Sequence, residues 1–191
     1  EQDGKYLLDL EWAGEAQTDV TIGKYDYGGL FVRMPWKQGI KGDVINAARQ
    51  KNEKAEGQRA MWVDIGMQVE GRNDLAHIAI FDHPENKGFP HYWRVDGQLG
   101  AGPARARKGD WQIKKGKVEV IKHQLVIYTG EFSDVKMTKT WGEFSGQEME
   151  YALWGVAQQE GRDAKFLTPE EAVANMTLKE GFKVNTWASE P

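Results

Sequence analysis

From residue 5 to about residue 130, short apolar runs alternate with Gly, Pro, Asp or Asn, the punctuation of an antiparallel sheet protein. Lys5 to Trp12 alternates imperfectly, and Thr18 to Ile22 is a short run. Strand side chains point to opposite faces in turn. In Gly28 to Met34, therefore, Leu30, Val32 and Met34 share one face and Phe31 with Arg33 the other. Turned inward, Arg33 beside an aromatic suits an anion or a sugar hydroxyl; turned outward, it is an ordinary surface residue. Ala60 to Gly66 places Met61, Val63 and Ile65 on one face and Trp62 with Asp64 on the other. That second face fits a carbohydrate site, and a half-exposed strand explains it equally well. Leu75 to Asp82 is apolar on both faces, which predicts a central, doubly covered strand with His77 as a hydrogen-bonded core residue.

Elsewhere the pattern is looser. Residues 37 to 58 are polar and punctuated by Gly, which predicts a long loop or insertion. Val118 and Val120 fall on even positions, whereas Ile121, Leu125 and Ile127 fall on odd ones. An extra residue near 120–121 would bring both sets to the core, so the phase change predicts a β-bulge or a bent strand. Ser133 to Phe144 suits a short helix presenting Val135, Trp141 and Phe144. Thr168-Pro169-Glu170-Glu171 has the form of a capping box with Pro at the first helical position, which predicts a helix from Pro169 to Asn175. The expected fold is mainly β: an antiparallel β-sandwich, complete or partial, with a short C-terminal helix. Residues 1–160 would form the sandwich, and 161–191 a linker leading to a further domain.

The exit of the central strand carries the densest chemistry. Ile78-Ala79-Ile80-Phe81 ends in Asp82-His83-Pro84-Glu85-Asn86, and Phe89-Pro90-His91-Tyr92-Trp93-Arg94 follows. Pro84 fixes φ and removes a backbone donor, and a loop held by a rigid strand is a common place for function. Neighbouring residues on a strand face opposite ways, so no direct contact between Asp82 and His83 is expected. His83 and His91, with Asp82 or Asn86, can be read as a mixed nitrogen and oxygen metal site. They can equally be read as a turn in which Asp82 and Asn86 bind backbone amides, and no metal is assigned.

Composition narrows the function. The chain is 40% hydrophobic and 28% charged, with eight Trp, six Tyr and seven Phe, enough large side chains for a core and for a sugar-binding face. A formal charge of −4 without a long basic block argues against a nonspecific nucleic-acid surface. Arg105-Ala106-Arg107-Lys108 and Lys114-Lys115-Gly116-Lys117 are read as solvated turns. No apolar run reaches the roughly twenty residues of a membrane span. The chain has no cysteine, which removes disulfides, thiolate metal sites and a cysteine nucleophile. It lacks Gly-x-Ser-x-Gly and phosphate-binding Gly-rich loops. Starting at Glu1 without Met or a leader, it is expected to be a processed or excised piece.

Gly28-Gly29-Leu30-Phe31-Val32-Arg33, Gln58-Arg59-Ala60-Met61-Trp62-Val63-Asp64, the Ile78 to Asn86 segment and Trp93-Arg94 resemble, in order and spacing, the family labelled methane oxygenase PmoA-like. The resemblance spans residues 18 to about 145 and implies a β-sandwich related in architecture to the galactose-mutarotase supersandwich. The tail, from Leu167-Thr168-Pro169 through Gly181-Phe182-Lys183-Val184 to Ala188-Ser189-Glu190-Pro191, resembles the entrance to the propeller of large secreted bacterial proteins that end in a haem-binding module. That implies a fragment of an exported multidomain protein, periplasmic or extracellular, with haem only in a downstream domain and no cofactor in this chain.

Three readings follow. In the first, the domain is a noncatalytic module binding carbohydrate, another small polar ligand or a neighbouring domain through Arg33, Trp62, His83, Asn86, His91, Trp93 and Arg94. In the second it is a carbohydrate-active enzyme of mutarotase-like or lyase-like design, with His83 or His91 as acid and Asp64 or Asp82 as base. In the third it is an accessory domain of a haem-linked oxidoreductase.

Overall fold

A computed structural model describes residues 4–147 and Val173. Its frame is a five-stranded antiparallel sheet in the order β1-β10-β6-β5-β4. Here β1 is Tyr6–Glu15, β4 Gly42–Asn46, β5 Trp62–Gln68, β6 Leu75–Asp82 and β10 Val118–Gly130. The doubly apolar run is the middle strand, as its pattern predicts. Its neighbour β5 is buried from Trp62 to Met67, so both of its faces are covered, not one.

Each face has its own cover. On one, Val44, Val63, Ile65 and Ile80 are at most 1% exposed. They share a core with Trp93, Val95, Leu99 and Ala101. These last come from a three-stranded sheet, order β3-β8-β7, and from the turn between its last two strands. In it β3 is Val32–Arg33, β7 Trp93–Asp96 and β8 Gly100–Pro103. Gly102 lets this small sheet close, because a Cβ there would lie 2.1 Å from the Leu30 carbonyl oxygen. On the other face, Trp62 packs on Phe132 and Phe81 on Phe144. Phe144 belongs to helix α1, Asp134–Ser145, whose N-cap Ser133 accepts from the Lys136 amide. Trp141 on α1 is fully buried, while Val135 is 65% exposed. A third pairing joins β2, Val20–Ile22, to β9, Trp111–Ile113. The chain is thus mainly antiparallel β, with the two larger sheets face to face.

Three expectations are corrected. Residues 37–58 are not one loop, since they hold β4 and a short 3-10 turn at Asn52–Lys54. Polar residues hid the strand: Asp43 accepts from Asn52 Nδ2 at 2.9 Å, and Asn46 Oδ1 accepts from the Ala48 and Gln50 amides, each at 3.0 Å. The bulge near 120–121 is absent, because β1 and β10 pair residue for residue from Tyr6 opposite Ile127 to Glu15 opposite Val118. Val118 and Val120 simply continue the face of Gln124 and Val126 beyond its cover, and are 61% and 40% exposed. Arg105–Lys108 is a 3-10 turn with Arg105 and Arg107 partly buried. The helix expected over Pro169–Asn175 lies outside the described residues except for Val173, which is helical. The 161–191 linker likewise lies outside them, apart from that residue.

The cover of the first face stops short. Tyr6, Leu8, Leu10 and Trp12 stand on that face opposite Ile127, Leu125, His123 and Ile121, and are 55%, 46%, 37% and 51% exposed. Ile80→Ala should cost about 2–5 kcal/mol in urea unfolding, whereas Leu8→Ala should cost under about 1 kcal/mol. Equal costs would contradict a half-covered sheet.

Candidate functional site

Asp82 closes the central strand as a fully buried carboxylate. Burying that charge is tolerable only if donors surround it. Its Oδ1 accepts from Asn86 Nδ2 at 2.7 Å, and its Oδ2 accepts from the His91 amide at 2.9 Å. His91 Nδ1 lies 3.0 Å from Oδ2 in a poorly aligned contact, and His123 Nδ1 lies 3.7 Å from Oδ1. Asn86 in turn stands in for a further strand residue: its Oδ1 accepts from the Lys122 amide at 2.8 Å and its Nδ2 donates to the Lys122 carbonyl at 2.7 Å. Trp141 Nε1 donates to the Asp82 carbonyl oxygen at 2.9 Å and ties α1 to the same point. The Phe89–Pro90 peptide within this turn is cis.

A second buried network lies on the opposite face of the sheet. Asp64 Oδ2 is 2.8 Å from His77 Nδ1, and Asp64 Oδ1 accepts from the Tyr128 hydroxyl at 2.8 Å. His77 Nε2 is 3.1 Å from the Gly130 carbonyl oxygen. Both ring nitrogens thus face oxygen atoms. Tyr128 stacks on His77 at 4.5 Å between ring centroids. Burial pushes the Tyr128 hydroxyl well above the usual tyrosine range, and the charge of Asp64 adds to it. Gly66 leaves room for the imidazole, since a Cβ there would lie 2.7 Å from it.

Most of the residues singled out from sequence are therefore interior. Trp62 and Trp93 are 0% exposed, and Trp93 Nε1 donates to the Ala60 carbonyl oxygen. Asp64, Asp82, Asn86 and His91 are between 0% and 5% exposed, and the Asp64, Asp82 and Asn86 side chains are hydrogen-bonded internally. Arg33 pairs with Asp96 and lies over the Phe31 ring. Arg94 donates to Glu56 at 2.7 Å and lies over Tyr27. Burial alone would raise the Glu56 pKa, but the Val95 amide, Arg94 and Arg107 outweigh it and hold the carboxyl below the usual range. No three His, Asp or Glu side chains among the described residues are placed to hold a metal ion.

His83 stands at an open cleft of about 490 Å3 between β1, β10 and α1, while His91, 5% exposed, edges a different one. The remaining lining includes Asp9, Glu11, Lys122, Gln124, Glu143 and Phe144. His83 Nδ1 accepts from the Glu85 amide at 3.2 Å, which leaves Nε2 as the N–H of the neutral ring. Burial lowers the His83 pKa and favours that neutral form. The ring meets Phe144 edge-on at 5.0 Å. Lys122 pairs with Glu85 at 2.6 Å, and Gln124 Nε2 donates to Asp9 at 2.7 Å, while Gln124 Oε1 is buried without a donor among the described residues. The cleft offers donors, carboxylate acceptors and an aromatic edge, the fittings for a polyhydroxylated molecule. Its Asp9 and Glu11 were legible only as the polar half of an alternating strand.

Tyr128→Phe should cost about 1–3 kcal/mol, because Asp64 loses a buried donor; denaturant midpoints check this. Burial also lowers the His123 pKa, against the opposing pull of Asp82. The unfolded chain then binds the extra proton first, so this contribution to stability is present above the ordinary histidine range and is lost as pH falls through it. Wild type should lose more stability than His123→Asn between about pH 7.5 and 5.5, the window around the free-histidine pKa. Parallel pH profiles would contradict this.

No helix among the described residues is long and apolar enough to cross a membrane. No curated protein matches the chain, and no solved structure matches it either. A family model does match residues 1–142, and by that match the chain belongs to the family described as Family of unknown function (DUF6807).

Proposed function

We propose that this domain is a noncatalytic β-sandwich module of a secreted, multidomain bacterial protein and that it binds carbohydrate in the His83 cleft. The observation that carries the reading is the division of labour among the ionisable groups. Asp64 and Asp82 are sealed in internal contacts, and His91, 5% exposed, lines a different cleft from His83. The cleft gathers His83, Gln124, Asp9, Glu143 and Phe144 at one opening. An acid–base enzyme needs its proton-transfer groups within reach of substrate, and a binding module needs only directed donors, acceptors and an apolar surface. The resemblance to the PmoA-like family and the mutarotase supersandwich belongs to this proposal, as does a periplasmic or extracellular setting.

Calorimetric titration of the chain with a panel of mono- and oligosaccharides tests it. Saturable binding without change to the sugar is expected, and His83→Ala and Phe144→Ala should each weaken it by about tenfold. Absence of saturable binding across the panel would refute the proposal. Accelerated anomer interconversion or bond cleavage, abolished by His83→Ala, would assign the cleft to an enzyme instead.

A further inference from the structure

The turn that follows β6 also borders a second cleft, of about 350 Å3, whose lining includes Arg59, Lys87, Tyr92, Arg105, Lys108 and Trp111. Its charge runs against that of the whole chain, which is −4. Arg105 is neutralised by Glu119. The other three cations form no ion pair among the described residues. Arg59 Nε donates to the Pro90 carbonyl oxygen at 2.7 Å and its Nη2 to that of Phe89 at 3.0 Å. Its guanidinium lies 5.6 Å from the Tyr92 ring centroid, and Lys108 Nζ lies 5.2 Å from the same ring. Carbonyl dipoles and a ring face hold a cation in place without cancelling its charge. Lys87 and Lys108 have no ion-pair partner among the described residues, and Arg59 Nη1 makes no hydrogen bond with them. The one carboxylate of the lining, Asp110, accepts from the Lys24 amide at 2.8 Å. Trp111 Nε1 is buried at this cleft as a donor without an acceptor among the described residues.

We infer that this cleft binds an oxyanion, the carboxylate, sulfate or phosphate group of a small ligand. Arg59 and Lys108 are held over Tyr92 and Lys87 adds an exposed third cation, so that against the one carboxylate of Asp110 the lining keeps a net positive charge; a concave wall keeps its potential from being screened as it is on open surface. Lys87, Lys108 and Arg59 Nη1 then supply charge-assisted hydrogen bonds. The inference is independent of the carbohydrate reading, since it uses no residue of the His83 cleft.

The test is a titration of the isotopically labelled full chain with sodium sulfate, sodium phosphate and glucuronate at constant ionic strength, with glucose as the neutral control. The Trp111 indole N–H and the Tyr92 amide should shift saturably with at least one of the anions and not with glucose. The double variant Lys87→Glu/Lys108→Glu alters two exposed side chains and should keep the rest of the spectrum while weakening binding by about tenfold or more. His83→Ala should leave the affinity unchanged. The ranking of the three anions identifies the oxyanion. Shifts that never saturate, or that are equal in wild type and the double variant, would overturn the inference.

Discussion

The buried carboxylate of Asp82 is the constraint on which the rest depends. It lies at the end of the middle strand with no exposure, where an unpaired charge would cost several kcal/mol. The chain meets that cost by folding the 83–91 turn around it. Asn86 and the His91 amide bond the two carboxylate oxygens, and the imidazoles of His91 and His123 lie alongside. Asn86 carries the order on into β10 through Lys122, and Trp141 carries it into α1 through the Asp82 carbonyl. One residue thereby sets the spacing of sheet, turn and helix. The two clefts described above border this turn, so their shapes follow from it.

The five-stranded sheet uses its faces unequally. At β4, β5 and β6 one face meets the three-stranded sheet and the other meets the segment from Phe132 to Phe144. At β1 a row of four large apolar side chains stays open on the first face. Polar side chains therefore gather at openings where cover ends and strands exit, the places where a rigid sheet presents loops.

Much of the fold was legible because burial writes a period into the sequence. The central strand follows from periodicity, and the imperfect alternation of Lys5 to Trp12 and the short helix within Ser133 to Phe144 were legible more coarsely, without β1's edge position or the Ser133 cap. The strand β4 was not, because Asp43 and Asn46 look like loop residues until their turn partners Asn52 and Gln50 are seen. The valines at 118 and 120 suggested a bulge because exposed apolar residues obey the same period as buried ones. The candidate site was legible in place but not in role. Sequence marks Asp82, His83, Asn86 and His91 as an unusual cluster, yet only three-dimensional pairing turns three of them inward and leaves His83 at an opening. The other walls of that opening come from β1 and α1, and the bond between Asp9 and Gln124 joins residues far apart in the chain. No local spacing encodes such a meeting.

Asp82→Asn tests the account most directly. The substitution keeps the volume but replaces one carboxylate oxygen with a donor that faces either the His91 amide or the Asn86 side chain. Urea unfolding combined with amide spectra should show a loss of about 2–4 kcal/mol, with shifts at both His83 and Lys87. Stability within about 0.5 kcal/mol of wild type, with unchanged spectra on both sides of the turn, would contradict the claim that Asp82 organises this end of the molecule.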